Sequence, residues 1–342
     1  MYPKVTAVTI MYGDRWKFLS QVVIAVMRDP CITKFVIVDN GAAVKGQIQE
    51  GVKQYGDRIV VLETGKNLGS AGGFAKGIEY ARTTDCDFVY LLDDDSVPED
   101  NSVNMFMETL KLFPDKKIVL SGNRHTVLDN KEVFYKRSIL DDTPRGTFFE
   151  VFSFRKIMHF FALFFIQNKK HLKRGPFIPI IPTEAFIYGG AFIPIEAVRL
   201  APLPDASLFL YGDDIEYSWN IKKLGYQSYL SVYPRLNDID LTFGENGSHI
   251  FSQFDKKTPD FKVYYRLRNM VRLSVCHSHQ LKWVLFLNII FWVLGLYLLG
   301  FLKTGPTSTY FKRVVLMAKA VYAGYFRHSH TAKETENSFF SK

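Results

Sequence analysis

Cysteine is scarce in this chain: Cys31, Cys86 and Cys276 are the only three in 342 residues, and they lie far apart. No two have the spacing of a metal site or redox motif, so a disulfide framework and a cysteine-ligated zinc are excluded, and the thiols read as free in a reducing compartment. Internal repeats and low-complexity tracts are absent, which argues against an array of stacked units. No charged-then-apolar leader precedes the first apolar segment, Val5–Ile10. The expectation is therefore a chain without a secretory signal, kept on the cytoplasmic side. A dominant Lys/Arg tract is missing too, although the net charge is +9. The basic residues instead flank apolar segments, as in Arg155-Lys156, Lys169–Arg174 and Lys312-Arg313. That placement suits an anionic membrane surface and argues against a nucleic-acid partner.

What the chain does have is a βα rhythm. Val5–Ile10, Phe35–Val38, Ile59–Leu62 and Phe88–Leu92 are short apolar runs of strand type. Between them, Trp16–Met27 and Val44–Tyr55 carry helical spacing, and the glycine-rich turn Asn67–Gly73 opens a helix to about Thr83. Such alternation predicts a doubly wound, mostly parallel sheet with helices on both faces. A helix from Asn101 to Phe113 and a strand at Ile118–Leu120 follow. The stretch from Asn123 to Pro182 is poorly patterned, and its apolar run Ile157–Ile166 is too short to span a bilayer. Ile187–Ile193 reads as a strand with Gly189 and Gly190 at its centre, which marks a close backbone approach, here to a sugar. A helix after Asp213-Asp214 runs to Leu224, and Gln227–Val232 is a further strand.

The last third changes character. Trp283–Leu302 is apolar but for Asn288 and is bracketed by Lys282 and Lys303. Its length just suffices for a membrane span. Tyr310–Arg327 sets Val314, Val315, Ala318, Val321, Tyr322 and Tyr325 on one face against Lys312, Arg313 and Lys319, the pattern of a basic amphipathic helix in an interface. The alternative is a helical hairpin buried against the α/β domain or in a homo-oligomer. The expected organisation is a catalytic domain over residues 1–270, a helical membrane-associated region over 271–330, and a disordered tail over 331–342. Within the first, 1–122 would bind a nucleotide sugar and 183–270 would carry the acceptor and catalytic part.

The chemistry concentrates where apolar strands end in acid. Phe88–Leu92 runs into Asp93-Asp94-Asp95, a charge density that calls for a compensating cation, and a hard divalent metal fits carboxylate oxygen. Asp39 ends the second strand, the Asn67 turn follows the third, and Tyr211-Gly-Asp-Asp-Ile-Glu216 opens a helix. In open α/β sheets these positions share one edge, where ligands bind. Each alone is also an ordinary solvated turn or helix cap. Their joint occurrence favours a nucleotide and metal site.

This constellation resembles the family-2 glycosyltransferases of the GT-A fold, over about Val5 to Asn269. The residues that carry the likeness are Asp93-Asp94-Asp95, Asp39 in Val-Asp-Asn, the Thr9, Tyr12, Arg15 pattern, and the Asn67–Phe74 turn. The turn and the triple aspartate look most like galactofuranosyltransferases, with rhamnosyltransferases close by. Tyr264–Asn269 is similar to a stretch in bacterial members that extend lipid-linked or cell-wall glycans.

The resemblance implies residue roles. Thr9, Arg15, Asp39, Asn67, Gly69, Gly73, Asp93 and Asp94 would bind the donor. Asp93, Asp95 and His249 would hold Mn2+ or Mg2+. Asp214 would be the catalytic base, and Gly189, Gly190, Asp213, Glu216 and Trp219 would face the acceptor. Asn220 stands where many relatives have arginine, a task that would pass to Lys222 or Lys223. For the third metal position, Asp238 and Asp240 lie nearer the end of the preceding strand than His249 does. The implied enzyme is inverting and metal-dependent, and moves a sugar from UDP-galactofuranose to a lipid-linked or cell-surface polysaccharide at the inner face of a bacterial membrane. A dTDP-rhamnose-dependent transferase is the alternative. A nucleotidyltransferase or a non-catalytic membrane scaffold is a more distant reading.

Overall fold

The computed structural model describes residues 2–43, 45–114, 117–124, 177–240, 253–256, 258–277 and 281–326. The run Ile157–Ile166, the basic clusters beside it, His249 and the tail from Thr331 lie outside the described residues.

Two compact units emerge. The first comprises Met1–Leu140, Pro176–Phe209 and Asp213–Glu245. Its strands are β1 (Val5–Gly13), β2 (Ile32–Ala42), β3 (Ile59–Glu63), β4 (Phe88–Leu91), β5 (Ser96–Pro98), β6 (Ile118–Arg124), β7 (Ile180–Thr183), β8 (Ala191–Pro194) and β9 (Gln227–Asp238). Its helices are α1 (Trp16–Arg28), α2 (Lys45–Val52), α3 (Gly69–Ala81), α4 (Ser102–Leu110), α5 (Ile195–Leu200) and α6 (Asp213–Lys223). All nine strands form one sheet in the order β3-β2-β1-β4-β8-β6-β9-β5, with β7 pairing β9.

The β3-β2-β1-β4 end is parallel, as the βα rhythm requires. Beyond it β8 runs antiparallel to both neighbours, β6 and β9 are parallel, and β5 and β7 are antiparallel to β9. The sheet is therefore mixed. Of the antiparallel members, β8 falls on the segment Ile187–Ile193 expected as a strand, whereas β5 and β7 come from segments not expected to be strands.

Period-two alternation sorts the core onto both faces of the sheet. Phe35 and Ile37 join Ala7, Met11, Tyr90, Phe106 and Phe192 on one side. Val36 and Val38 join Val8, Phe74, Ile78, Leu91 and Tyr217 on the other. Phe192 stacks on Phe88 and on Phe106, with ring centroids 4.6 Å apart in each case. These aromatics hold β4 between β1 and β8, and so fix where the acidic residues after β4 emerge.

Two expectations shift in detail. Gly72 and Gly73 lie inside α3, and Gly73 closes on Ile10 and Asn40, so only Asn67 and Leu68 remain as the turn. Gly189 and Gly190 precede β8 as a turn, because Gly190 has φ +103°, outside strand geometry.

The second unit comprises Asp141–Gly175, Leu210–Gly212 and Asn246–Lys342. Its described helices are α7 (Asp260–His277), α8 (Lys282–Thr304) and α9 (Ser308–Phe326). Arg313 is buried and pairs with Asp260 at 2.8 Å, and its guanidinium also donates to the carbonyls of Asp255 and Thr258. Met317, Ala320 and Gly324 complete the buried face of α9, and Gly324 lies against the Arg268 carbonyl. The expected face of α9 is corrected by this: Val315 and Tyr322 are exposed, while Arg313 points inward. The small residues let two backbones approach closely, and the inward arginine finds a carboxylate there, so packing overrides the apolar stripe. Tyr297 and Tyr310 link α8 to α9 by donating to the Val314 and Tyr297 carbonyls at 3.1 Å. Asn269 donates to the carbonyls of Leu210 and Tyr211 at 2.8 Å each.

Candidate active site

The functional residues collect in the first unit at the carboxyl ends of the parallel strands. β4 delivers Asp93-Asp94-Asp95, and the chain continues at once into β5, whose Ser96 is in register with Asp238 at the end of β9. Ile239 also donates its N–H to the Asp95 carbonyl at 3.0 Å. Two more carboxylates, Asp238 and Asp240, thereby join the triplet. The sequence reading placed them near a strand end but could not pair that strand with β5.

Two arginines are set among the five carboxylates. Arg15, which follows β1, donates from Nε and Nη2 to both oxygens of Asp94 at 2.7 and 2.9 Å, from Nη2 to Asp95 at 2.9 Å, and from Nη1 to Asp240 at 2.6 Å. Arg124, at the end of β6, donates to Asp93 Oδ2 at 2.8 Å and to both oxygens of Asp238 at 3.0 Å. These are charge-assisted, multidentate contacts of the stronger kind. Burial opposes both guanidinium charges, but the facing carboxylates outweigh it and hold each more firmly protonated than an ordinary arginine. Asp95 is pushed up to about 7, by burial first and then by Asp93 and Asp94. Asp94 is raised as well, again chiefly by burial.

Five carboxylates against two guanidinium groups leave an excess of negative charge built from hard oxygen donors. That donor set fits a divalent cation of the magnesium or manganese type. Among the described residues the carboxylates do not yet surround one point, since Arg15 bonds to Asp94, Asp95 and Asp240 at once. Asp93 and Asp95, the described members of the expected metal set, both lie in this cluster.

A second acidic group opens α6. Asp213 is buried; its Oδ1 accepts from Ser70 of α3 at 3.0 Å, and its Oδ2 has no hydrogen-bond partner among the described residues. Asp214 accepts from the Ile215 N–H at 2.8 Å. Both carboxyls are raised above the usual range by burial, and the charge of Asp93 raises both further, which marks how near the two acidic groups lie. The buried Tyr188 hydroxyl also has no hydrogen-bond partner among the described residues and feels the same two carboxylates, a neighbour that no motif signalled. Glu216 accepts from Asn220 Nδ2 at 2.6 Å, and Lys223 donates to Asn220 Oδ1 at 3.1 Å. Asn220 thus links Glu216 to Lys223, while Lys222 pairs with Glu184. Trp219, one turn along α6, is half-buried.

At the β2 edge Asp39 is buried. Its Oδ1 accepts from the Ala42 N–H at 2.7 Å, and Oδ2 has no partner among the described residues. An unpaired buried carboxylate oxygen is costly and marks a place where a donor group is wanted. Asn67 Oδ1 is taken up locally by the Gly69 N–H at 2.8 Å and by Asn40 Nδ2 at 3.3 Å. Asn40 also accepts from the Leu68 N–H at 2.9 Å. Asn40, missed by the sequence reading, is the residue that ties this turn to β2. Gly69 has φ +72°, and a Cβ there would collide with the Phe209 carbonyl. Glycine is therefore what allows α3 to begin against the segment leading to α6. Thr9 is fully buried in β1, with its hydroxyl lacking a partner among the described residues.

Comparison with known proteins accords with this geometry. Residues 6–175 match the model of Glycosyl transferase family 2. Galactofuranosyltransferase GlfT1 of Mycolicibacterium smegmatis is 25% identical over 222 residues, covering 65% of this chain and 66% of that protein. Galactofuranosyltransferase GlfT1 of Mycobacterium tuberculosis is 26% identical over 181 residues, covering 53% and 52%. The chain thus spans between half and two thirds of the length of these curated relatives. The mannosyltransferase PcManGT of Pyrobaculum calidifontis, solved with GDP-Man and Mn2+, superposes with a TM-score of 0.51 at 12% identity, over all of this chain and 80% of that one. The fold is that of GT-A glycosyltransferases, and the chain carries a glycosyl transferase family 2 domain.

Proposed function

We propose that this protein is an inverting, metal-dependent glycosyltransferase that moves a sugar, galactofuranose from its UDP conjugate, to a lipid-linked or cell-surface polysaccharide. The observation that carries the reading is the meeting of Asp93–Asp95, Asp39 and Asp213-Asp214 at one end of the sheet. The relatives named galactofuranosyltransferase support the choice of sugar.

In this reading the unpaired Asp39 Oδ2 accepts a hydrogen bond from the nucleoside. Asp93 and Asp95 would hold Mn2+ or Mg2+, which supplies charge neutralisation for the departing diphosphate when bound. Asp214 takes the proton of the acceptor hydroxyl at a carboxylate oxygen as that hydroxyl attacks the anomeric carbon. The bond to the diphosphate breaks with its electron pair leaving on phosphate oxygen, and one displacement inverts the centre. The raised Asp214 carboxyl suits a base near neutral pH. Asp213 and Glu216 stand beside it to hold further acceptor hydroxyls.

The working place would be the inner face of a bacterial membrane. α8 has mean hydropathy 2.3 over its most apolar window and is the one described helix long and apolar enough to cross a bilayer. Leu285, Asn288, Ile289, Val293, Leu296 and Gly300 are buried along its length, while Trp283, Leu294, Leu298 and Leu302 are exposed. The helix is apolar on both sides, but one side is covered by protein, so the exposed side alone would meet lipid, which favours contact with the membrane surface over a span. The test is a screen of nucleotide sugars for Mn2+-dependent hydrolysis and transfer. UDP-galactofuranose should be the donor used, with Asp214→Asn reducing transfer about 10²- to 10⁴-fold, the usual worth of a general base. Full transfer by Asp214→Asn would sink the assignment of the base.

A further inference from the structure

The triplet's first aspartate is held by a residue that no motif identified. Arg124 stands at the carboxyl end of β6 and bridges Asp93 to Asp238, with Asp238 accepting in addition from Ser96 Oγ at 2.9 Å. Arg124 and Asp238 are largely buried, so their pair is shielded from solvent and from salt, while the Asp93 end is 35% exposed and open towards a ligand. Buried bridges of this type favour one geometry more than they add stability. Gly189 lies directly over the bridge: a Cβ there would meet Arg124 Nη1 and would stand 2.5 Å from Asp93 Oδ2. The turn before β8 thus needs a residue without a side chain so that the ion pair can close beneath it.

We propose that Arg124 is a positioning residue for the donor site, fixing Asp93 by tying it to Asp238 under the bare backbone of Gly189. With Arg15 engaging both oxygens of Asp94, the two arginines assign the three adjacent aspartates different surroundings. Asp93 is clamped to β6 and β9, Asp94 is clamped to Arg15 just after β1, and the Asp95 carboxylate has, among the described residues, one hydrogen bond, from Arg15 Nη2. The inference rests on the reading of Asp93 as a donor-site residue.

The test is a double-mutant cycle on the full chain, with UDP binding in saturating Mn2+ measured by calorimetry. Asp93→Asn and Arg124→Gln should each weaken UDP about tenfold, the low end of what a supporting residue around a metal site contributes. In the Asp93→Asn background Arg124→Gln should then cost nothing more. Gly189→Ala, which removes no charge and forces Arg124 and Asp93 apart at the flexible ends of their side chains, should reproduce the loss, and Arg124→Lys should recover part of it. Thermal melting of each variant identifies any that has not folded, and Gly189→Ala and Arg124→Lys keep the question open to measurement if Arg124→Gln fails to fold. Losses that add in the double variant, or wild-type UDP affinity in folded Arg124→Gln or Gly189→Ala, overturn the role of Arg124 alone. Wild-type affinity in Asp93→Asn overturns the reading of Asp93 and the inference with it.

Discussion

Arg15 shows how residue chemistry is decided by partners. Read from sequence it is a diphosphate ligand; in the structure its three nitrogens are engaged by Asp94, Asp95 and Asp240. If Asp95 holds the proposed cation, the Arg15 guanidinium would compete with it for that carboxylate. Arg15→Lys, which keeps the charge but loses the fork that spans three carboxylates, should therefore raise Mn2+ affinity in the absence of nucleotide, by about three- to tenfold. Calorimetric titration with Mn2+ checks this, and an unchanged or weaker affinity counts against competition. The titration of the acidic pair gives a second outcome. Because burial raises Asp213 and Asp214, the proposed base Asp214 would be protonated, and inactive, at a higher pH than an ordinary carboxylate, so the acid limb of kcat/KM should lie above the usual carboxylate range. A pH profile of kcat/KM for the acceptor, at saturating donor, measures it.

At the scale of elements, the parallel end of the sheet was legible because buried parallel strands read as continuous apolar runs; those runs stop within one residue of the ends of β3 and β4, whereas β1 and β2 continue three and four residues past Ile10 and Val38. The antiparallel end was less so. β9 was expected to Val232 but extends to Asp238: Pro234 and Arg235 break the apolar run, yet Arg235 and Leu236 pair with β6, and Leu236 to Asp238 pair with β5. That extension is what carries Asp238 and Asp240 to the site. The start of α3 is the element-level constraint most open to test. Gly69→Ala requires a left-handed residue and a collision with the Phe209 carbonyl. It should cost about 1–3 kcal/mol, the range for an enforced strained backbone position, read by urea denaturation. An unchanged midpoint would mean that the junction of α3 with the segment before α6 is not held as described.

For the whole molecule, charge couples stability to pH and metal. The Asp95 carboxyl has its folded value raised to about 7 against about 4 unfolded, so the folded chain binds more protons than the unfolded one in that interval. Metal-free stability should accordingly fall as pH rises from about 4 to 8, and Mn2+ should raise the melting temperature more at pH 8 than at pH 6. A scan of melting temperature against pH with and without Mn2+ reads both, and a metal-free protein that gains stability over that interval contradicts the buried, like-charged arrangement. The second unit carries its own prediction. Leu294→Glu with Leu298→Glu, both on the exposed side of α8, should reduce flotation with anionic vesicles severalfold while leaving the fold intact.

Local pattern alone determined that this is an α/β chain with acid at the ends of its core strands, because strand burial and turn chemistry are written in neighbouring residues. Which cations face those acids was decided only in three dimensions. Arg15, Arg124, Asp238 and Asp240 are separated from Asp93–Asp95 by dozens of residues or more, and no periodicity records a pairing made across a sheet. The inward turn of Arg313 has the same origin: its partner Asp260 lies on another helix, and helical spacing carries no trace of it.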